Sequence, residues 1–538
     1  MSDARKAIFW LALAGVLIAA LYGQFLHNPI VFDDLYFFLL DNEGHSSVEQ
    51  FAALSPLDLR ALPYATLAWN ARLFGFDLLP FRIENLLLHW MVVGVLALFL
   101  LRLYRQVLPA STRCERTGML TAVLIVVSLF ALHPLAVYAV GYLVQRSIVM
   151  ATLFSLLSLW AYLHGNTGGK KYWLWGSVAL YFMATHSKEH VIMLPAVMVA
   201  MTVLLHQDWR AVLRSNWPVL LGYAMVGLLT VAQIRGVIGH SYEINSAEML
   251  DGVLPENAYA YSVLTQSWLF FKYGLLWLLP NPVWMSVDMR EPLAQGLWSM
   301  YGLSLLGYLL YGVAAVRLLL RRGQAGLIGF ALLLPWLMFA TEFSTVRIQE
   351  IFVLYRSYIW AVGGAIILPL LLMQLNARLT LLISALLAAT FFMISMERLS
   401  TFSHPILLWD DAEKLVKDRL SLPGAGRIYY NRGTEWMKID KLDSAMADLQ
   451  IATALSPTWS AAFGNLGAVY VKTAQNPLAI KAYSRAIELD QQQQAKPNFR
   501  HYLGRATAYE ADNQWREALV DYRVSCLLAK QGCEKSGN

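Results

Sequence analysis

The chain is predicted to be all-α, a polytopic membrane domain of about eleven transmembrane helices followed by a soluble helical-repeat domain. Three observations predict this. First, 57% of the 538 residues are hydrophobic and only 14% are charged, against about 25% charged in a soluble domain. Second, the charge is unevenly spread: residues 1–399 hold 25 basic and 21 acidic residues, whereas the last 139 hold 17 and 15. Third, residues 426–459 and 460–493 repeat with a period of 34. The division is 1–399 for the membrane domain, 400–425 for an amphipathic linker and 426–530 for the repeats.

Arg5 and Lys6 precede an apolar stretch from Ala7 to about Leu26. That length approaches the roughly 20 residues needed to cross hydrocarbon, and no small-residue cleavage site follows. It is predicted to be an uncleaved first helix with a cytoplasmic N-terminus. Further apolar stretches fall at about 84–103, 118–137, 147–164, 172–186, 190–206, 217–236, 297–316, 325–341, 357–375 and 379–396. The segment 265–280 is apolar but short, holds Lys272 and ends in Pro-Asn-Pro. Treating it as re-entrant or interfacial puts Arg317, Arg321 and Arg322 inside with Arg105, Arg113, Arg116, Lys170, Lys171, Arg210, Arg214 and Arg378, as the positive-inside bias requires.

Eleven crossings place the C-terminal domain outside, in a periplasm. External loops then span 28–82, 237–296 and 342–356, the first with four prolines and fragments resembling helices lying on a membrane. Cys526 and Cys533 would face an oxidising space and could pair, while Cys114 would be cytoplasmic. The net charge of +6 calls for no nucleic acid, since basic loop ends are the ordinary orientation signal. The 18 Trp and 26 Tyr are expected mainly in interfacial belts.

In the repeats, Gly433, Ala445, Ala452 and Pro457 align with Gly467, Ala479, Ala486 and Gln491. A third, less regular copy holds Leu503, Gly504, Tyr509, Ala518 and Tyr522. This small/large alternation is that of tetratricopeptide helices, which bind peptides or partner helices. A packing cap over the membrane domain is the plainer alternative.

Two adjacent acids, Asp33 and Asp34, follow the first span, where a carboxylate is costly without partners or work. Arg60, Arg82, Arg146, Lys188, Lys272, Arg347 and Arg356 lie outside against the orientation rule. Such cations fit an anionic ligand, for example a lipid phosphate. The alternative is that each pairs with Glu84, Glu189, Glu342 or Glu350 as structural glue. His186, Lys188 and His190 cluster at alternate positions, but zinc sites favour a tighter His/Cys set, so a divalent metal is only a secondary alternative.

The runs Leu132-His133-Pro134-Leu135-Ala136-Val137-Tyr138 and Tyr142-Leu143-Val144-Gln145-Arg146, with Ser187-Lys188-Glu189, Arg60-Ala61-Leu62-Pro63, Glu84-Asn85-Leu86-Leu87-Leu88-His89 and Tyr355-Arg356-Ser357-Tyr358, complete the pattern. In this order, with repeats behind them, they resemble bacterial relatives of the TMTC-type, tetratricopeptide-containing protein O-mannosyltransferases of the GT-C superfamily. Two departures stand out: Arg82 occupies the place of a family His, and the family's Arg-Pro-Leu is Arg60-Ala61-Leu62 here. The resemblance implies a GT-C-type membrane domain and transfer of a sugar from a polyprenyl-phosphate-linked donor to a Ser or Thr hydroxyl of an exported protein. No further cofactor is implied. The acceptor protein or peptide would bind near the repeats.

The resemblance further implies an Asp of the first external loop as general base, and a hydroxyl near neutral pH does need one. Asp34 is slightly favoured, with Asp33 orienting it or contacting the sugar. A lipid phosphate departs readily if cations stabilise it, so no second acid is required. Arg146 and Lys188, then Arg356, are the donor-phosphate candidates, and Glu189 is expected to hold Lys188 in place. His133 is either a hydrogen-bond donor to the donor lipid or a helix cap. Arg82, Tyr142, Gln145, Arg60 and Tyr358 complete the donor-binding set. Modification of a lipid or glycan is the runner-up reaction, and a non-catalytic scaffold displaying repeats is the alternative from another class. A transporter should show paired broken helices or internal duplication, and neither is visible in the sequence.

Overall fold

The computed structural model describes residues 3–38, 46–109, 112–168, 170–236, 238–240 and 256–536. These form an all-helical protein, with a lone antiparallel bridge between Met289 and Phe352 outside the helices. Residues 241–255 of the expected 237–296 loop, and the side chain of Cys114, lie outside the described residues.

Among the described residues, eight helices are long and apolar enough to cross a membrane: Arg5–Phe25, Leu78–Val107, Glu115–Leu132, Leu143–Gly168, Trp217–Ile234, Met300–Arg321, Gly323–Ser344 and Ala377–Thr401. Glu189–Leu205 and Ala361–Leu372 are shorter apolar helices, and the expected 172–186 segment is the 15-residue helix Lys171–Thr185. The segment read as a short 265–280 element is part of a continuous 21-residue helix, Ala258–Leu278. Its polar first turns, with Ser262, Thr265, Gln266 and Ser267, mask it in a search for apolar runs, and these side chains are buried against protein.

Local signals set the helix starts. Thr112 and Glu115 form a reciprocal capping box on Arg113–Leu132. Asp77 accepts from Leu79 N at 3.1 Å to open Leu78–Val107, and Asn376 accepts from Leu379 N at 2.9 Å to open Ala377–Thr401. Burial separates inner from outer helices: the apolar window of Leu143–Gly168 is 78% buried, but those of Trp217–Ile234 and Ala377–Thr401 only 17%. The outer helices turn their apolar side chains away from the protein, which is compatible with burial in a bilayer.

The loop 28–82 carries the short helices Asp33–Phe38, Ser47–Gln50 and Ala61–Phe74. A connecting helix, Pro405–Val416, leads to three helical hairpins: Ala425–Lys438 with Leu442–Leu455, Ser460–Lys472 with Asn476–Gln492, and Phe499–Ala511 with Trp515–Ala529. These tetratricopeptide-like units interlock where small residues meet large ones. A Cβ on Gly467 would sit 2.9 Å from the Tyr483 ring, and one on Gly504 only 2.2 Å from it. Cys526 and Cys533 are joined by a disulfide.

The repeat hairpins are fixed to the apolar helices. Arg398, on the last apolar helix, donates to Asp411 Oδ2 at 2.9 Å on the connecting helix and to Met285 O at 2.7 Å. Trp409 of the connecting helix meets the Phe32 ring edge-on at 5.4 Å.

Candidate active site at the end of the helical bundle

Five segments far apart in sequence converge on one cavity of about 260 Å³, just under the usual scale of roughly 300–1,000 Å³ for small-molecule sites. They are 33–37, 60–64, 144–147, 188–190 and 342–356. Asp33, Arg60, Gln145, Lys188, Glu189 and Arg356 line it together, as do Tyr36, Tyr64, His190, Glu342, Arg347, Glu350 and Tyr355.

The two acids at its edge face opposite ways. Asp33 and Asp34 open the short helix Asp33–Phe38, which begins immediately after Phe32. The Asp34 side chain is buried and accepts Leu143 N at 3.1 Å and Val144 N at 2.8 Å, anchoring the 143–145 turn. The Asp33 carboxylate borders the cavity, while its backbone N–H donates to the Tyr142 hydroxyl at 2.7 Å. Geometry therefore reverses the expected preference for Asp34 as the acid that meets a ligand. Burial pushes the Asp33 carboxyl up to about 6, and Glu350 adds to the rise. Arg427, the Tyr142 hydroxyl and Lys188 oppose it. Burial raises Asp34 to about 7 against the two backbone donors and Arg82.

Most of the unusual cations are neutralised within the protein. Arg146 is fully buried, with Nε donating to Asn85 Oδ1 at 2.8 Å and its two Nη atoms donating to Glu84, Thr66 and the Phe81 carbonyl at 2.8–2.9 Å. It braces three helices, does not line the cavity and already donates four of its five N–H groups within the protein. Arg82 likewise donates to the carbonyls of Asn28, Pro29 and Gly141, at 2.8, 3.0 and 3.1 Å. Arg60 caps Ala61–Phe74 from a left-handed backbone, φ +61°, and forms a two-point pair with Glu189 at 2.5 and 3.1 Å. Glu189 was expected to hold Lys188, but it holds Arg60. Arg356 pairs with Glu342 at 3.1 Å and Glu350 at 2.6 Å, and Arg347 Nε lies 3.5 Å from Glu342. The glue alternative is thus realised for Arg60, Arg146, Arg347 and Arg356.

Lys188 is different. It follows the unwound end of Lys171–Thr185, where its N–H still bonds to Ala184 O at 3.0 Å. Its ammonium has no carboxylate within ion-pair distance among the described residues and instead lies 5.8 Å from the centre of the Tyr355 ring. Burial lowers it to about 7; Arg60 and Arg356 act in the same sense, against Glu189 and Glu350. The cavity also presents buried polar atoms without hydrogen-bond partners, namely Gln145 Oε1 and both ring nitrogens of His190. Buried orphans of this kind call for a polar ligand or water.

Two further expected residues lie elsewhere. His133 accepts from Leu135 N through Nδ1 at 3.3 Å, sits 3.1 Å from Trp277 O through Nε2 and stacks on Trp277. It takes the cap role, not the ligand role. Tyr358 is buried with its hydroxyl 2.5 Å from His89 Nδ1, and Tyr142 acts through Asp33 instead of lining the cavity. Among the described residues, no group of three or more His, Cys, Asp or Glu side chains is arranged to hold a metal ion. Arg347, Glu350 and Tyr355 carried sequence signals, as an unusual cation, a pairing acid and part of the Tyr355–Tyr358 run, but none of them was placed in the donor-binding set; all three line the cavity. Arg427, in the first repeat helix, carried no sequence signal that ties it to Asp33.

No family model matches the chain. A stretch of 64 residues is 33% identical to the tetratricopeptide repeat domain-containing protein PYG7, chloroplastic, of Arabidopsis thaliana. It covers 12% of this chain and 21% of that protein, so the chain spans about a fifth of the length of the curated relative it matches. The likeness is to a tetratricopeptide repeat domain-containing protein over a short stretch and is compatible with the helical hairpins.

Proposed function

We propose that the chain is an integral-membrane glycosyltransferase that moves a sugar from a polyprenyl-phosphate-linked donor to a Ser or Thr hydroxyl of an exported protein. One observation carries this reading: a single cavity holds Asp33, an acid poised near neutrality, and Lys188, a half-buried cation with no carboxylate within ion-pair distance among the described residues. Asp33 takes the proton of the acceptor hydroxyl as its oxygen attacks the anomeric carbon. The bond from that carbon to the lipid phosphate breaks on the opposite face, with inversion, and Lys188 balances the charge of the departing phosphate. Arg356 and Arg347, held by Glu342 and Glu350, line the same wall, and Gln145 and His190 offer unpaired polar atoms to sugar hydroxyls.

The five segments that meet here are those the charge bias assigns to one side of an eleven-span protein in a bacterial inner membrane, N-terminus inside. The repeats then lie on the periplasmic side beside the cavity, where they recruit the acceptor. The chain fits no nucleic-acid partner.

Intact-mass measurement of exported proteins tests the reading in cells that carry the native chain, lack it, or carry Asp33→Asn at equal abundance. Loss of one glycan mass increment in the last two strains is the expected outcome. Identical glycan masses in all three would refute it.

A further inference from the structure

Phe32 has a left-handed backbone, φ +56°, which a bulky side chain seldom adopts unless its surroundings impose it. The next residue is Asp33. The Phe32 ring lies between Tyr142, at 6.1 Å, and two groups of the soluble half: Trp409, edge-on at 5.4 Å, and the Arg427 guanidinium, 5.0 Å from the ring centre. Arg427 belongs to the first repeat helix, Ala425–Lys438. It is tethered in turn to the membrane half, with Nε 3.6 Å from Asp288 and an Nη 3.5 Å from the Gln349 carbonyl.

We infer that Arg427 is a positioning residue for Asp33: with Trp409 it clamps Phe32 in the conformation that aims the acid, and it brings a positive charge from the repeat domain toward that acid. The groups that face Asp33 from the surrounding elements are Glu350, Lys188, the Tyr142 hydroxyl and Arg427, with Asp34 beside it. Arg427 is the foremost of those that favour the ionised carboxylate. Its catalytic meaning rests on the transferase reading: the half of the protein that recruits an acceptor also sets the state of the base.

The test labels the full-length protein in detergent with dicyclohexylcarbodiimide, which attacks protonated carboxyls in apolar surroundings. Adduct at Asp33 is measured by peptide mass spectrometry across a pH series, with Asp33→Asn as background. The native chain should show a labelling midpoint near the value of about 6 that burial gives Asp33. In Arg427→Ala and Arg427→Gln the midpoint should rise by about one pH unit or more, and Arg427→Lys should restore it. An unmoved midpoint in Ala and Gln would overturn the inference. So would a Lys variant displaced as far as Ala, because Arg427 would then act by packing alone. Neither donor nor acceptor is needed, so a protein that transfers no sugar would refute the transferase and leave the clamp standing.

Discussion

The Asp34 carboxylate accepts the Val144 N–H at 2.8 Å and thereby turns away from the cavity that its neighbour Asp33 enters. Adjacent acids on a short helix point in different directions, so one is free to work while the other builds the floor. This division separates the two in experiment. Asp33→Asn should keep the native melting temperature and lower sugar transfer by at least about 100-fold, the scale of a lost general base. Asp34→Asn should instead cost about 1–3 kcal/mol of stability, since its amide meets two backbone donors with one acceptor. Thermal unfolding in detergent beside a transfer assay distinguishes the pair.

The pH profile of transfer should be bell-shaped. Asp33 must be ionised to act as base, and burial holds its carboxyl at about 6, so the rate should fall as pH drops below that value. Lys188 must be charged to hold a phosphate, and burial holds it at about 7, so the rate should also fall as pH rises above it. Both limbs can be read from initial rates across a buffer series. In Lys188→Arg, whose guanidinium stays charged throughout, the alkaline limb should disappear.

Lys188 and Arg146 should fail in different ways. Lys188→Met removes an unpaired cation from the cavity and should raise the donor KM and lower kcat without loss of stability. Arg146→Met leaves Glu84 and three other acceptors without their donor and should cost about 3 kcal/mol of stability. Donor titrations and melting curves of the two purified variants check this.

Cys526 and Cys533 should resist alkylation in freshly isolated membranes until a reductant is added, as their disulfide requires. Residue Cys114, in the first turn of Arg113–Leu132 on the side the charge bias puts inside, should react with a membrane-impermeant maleimide only when the cytoplasmic face is open. Peptide mass spectrometry reports all three sites, and reaction of Cys114 from outside would invert the proposed topology.

Removal of residues 420–538 should abolish modification of the native acceptor and shift the Asp33 labelling midpoint as Arg427→Ala does. Unchanged modification of that acceptor in an otherwise intact strain would contradict a recruiting role for the repeats.

The helices were legible because apolar runs and caps are local: Ala377–Thr401 can be found from its composition and its Asn376 cap alone. The polar start of Ala258–Leu278 hid that helix, since Ser262 and Gln266 find partners in a segment some 80 residues on, as with Gln266 donating to Ile351 O, and Thr265 accepts from Ala294 N, 29 residues on. At the site, the sequence singled out Asp33, Lys188, Gln145 and Arg356, all of which reach one cavity. It ranked Arg146 level with Lys188 at the head of the cations, and Arg146 does not line the cavity. The pairing of Arg146 with Glu84 spans 62 residues and that of Arg60 with Glu189 spans 129, so which charge stays unpaired is a property of the fold.

By itself the sequence determined an all-helical chain, an apolar body too poor in charge for water, tetratricopeptide-like repeats behind it and an acid pair after the first apolar helix. Those features follow from composition and short-range periodicity, which act within a few turns of chain. Only the tertiary structure decided that Asp33 and not Asp34 meets the cavity, that among the described residues Lys188 alone of its lining cations has no acid within ion-pair distance, and that Arg427 of the repeats reaches the acid's loop. Charge and hydrogen-bond partners are chosen through space, and each depends on which distant segments the folded bundle brings within a few ångströms.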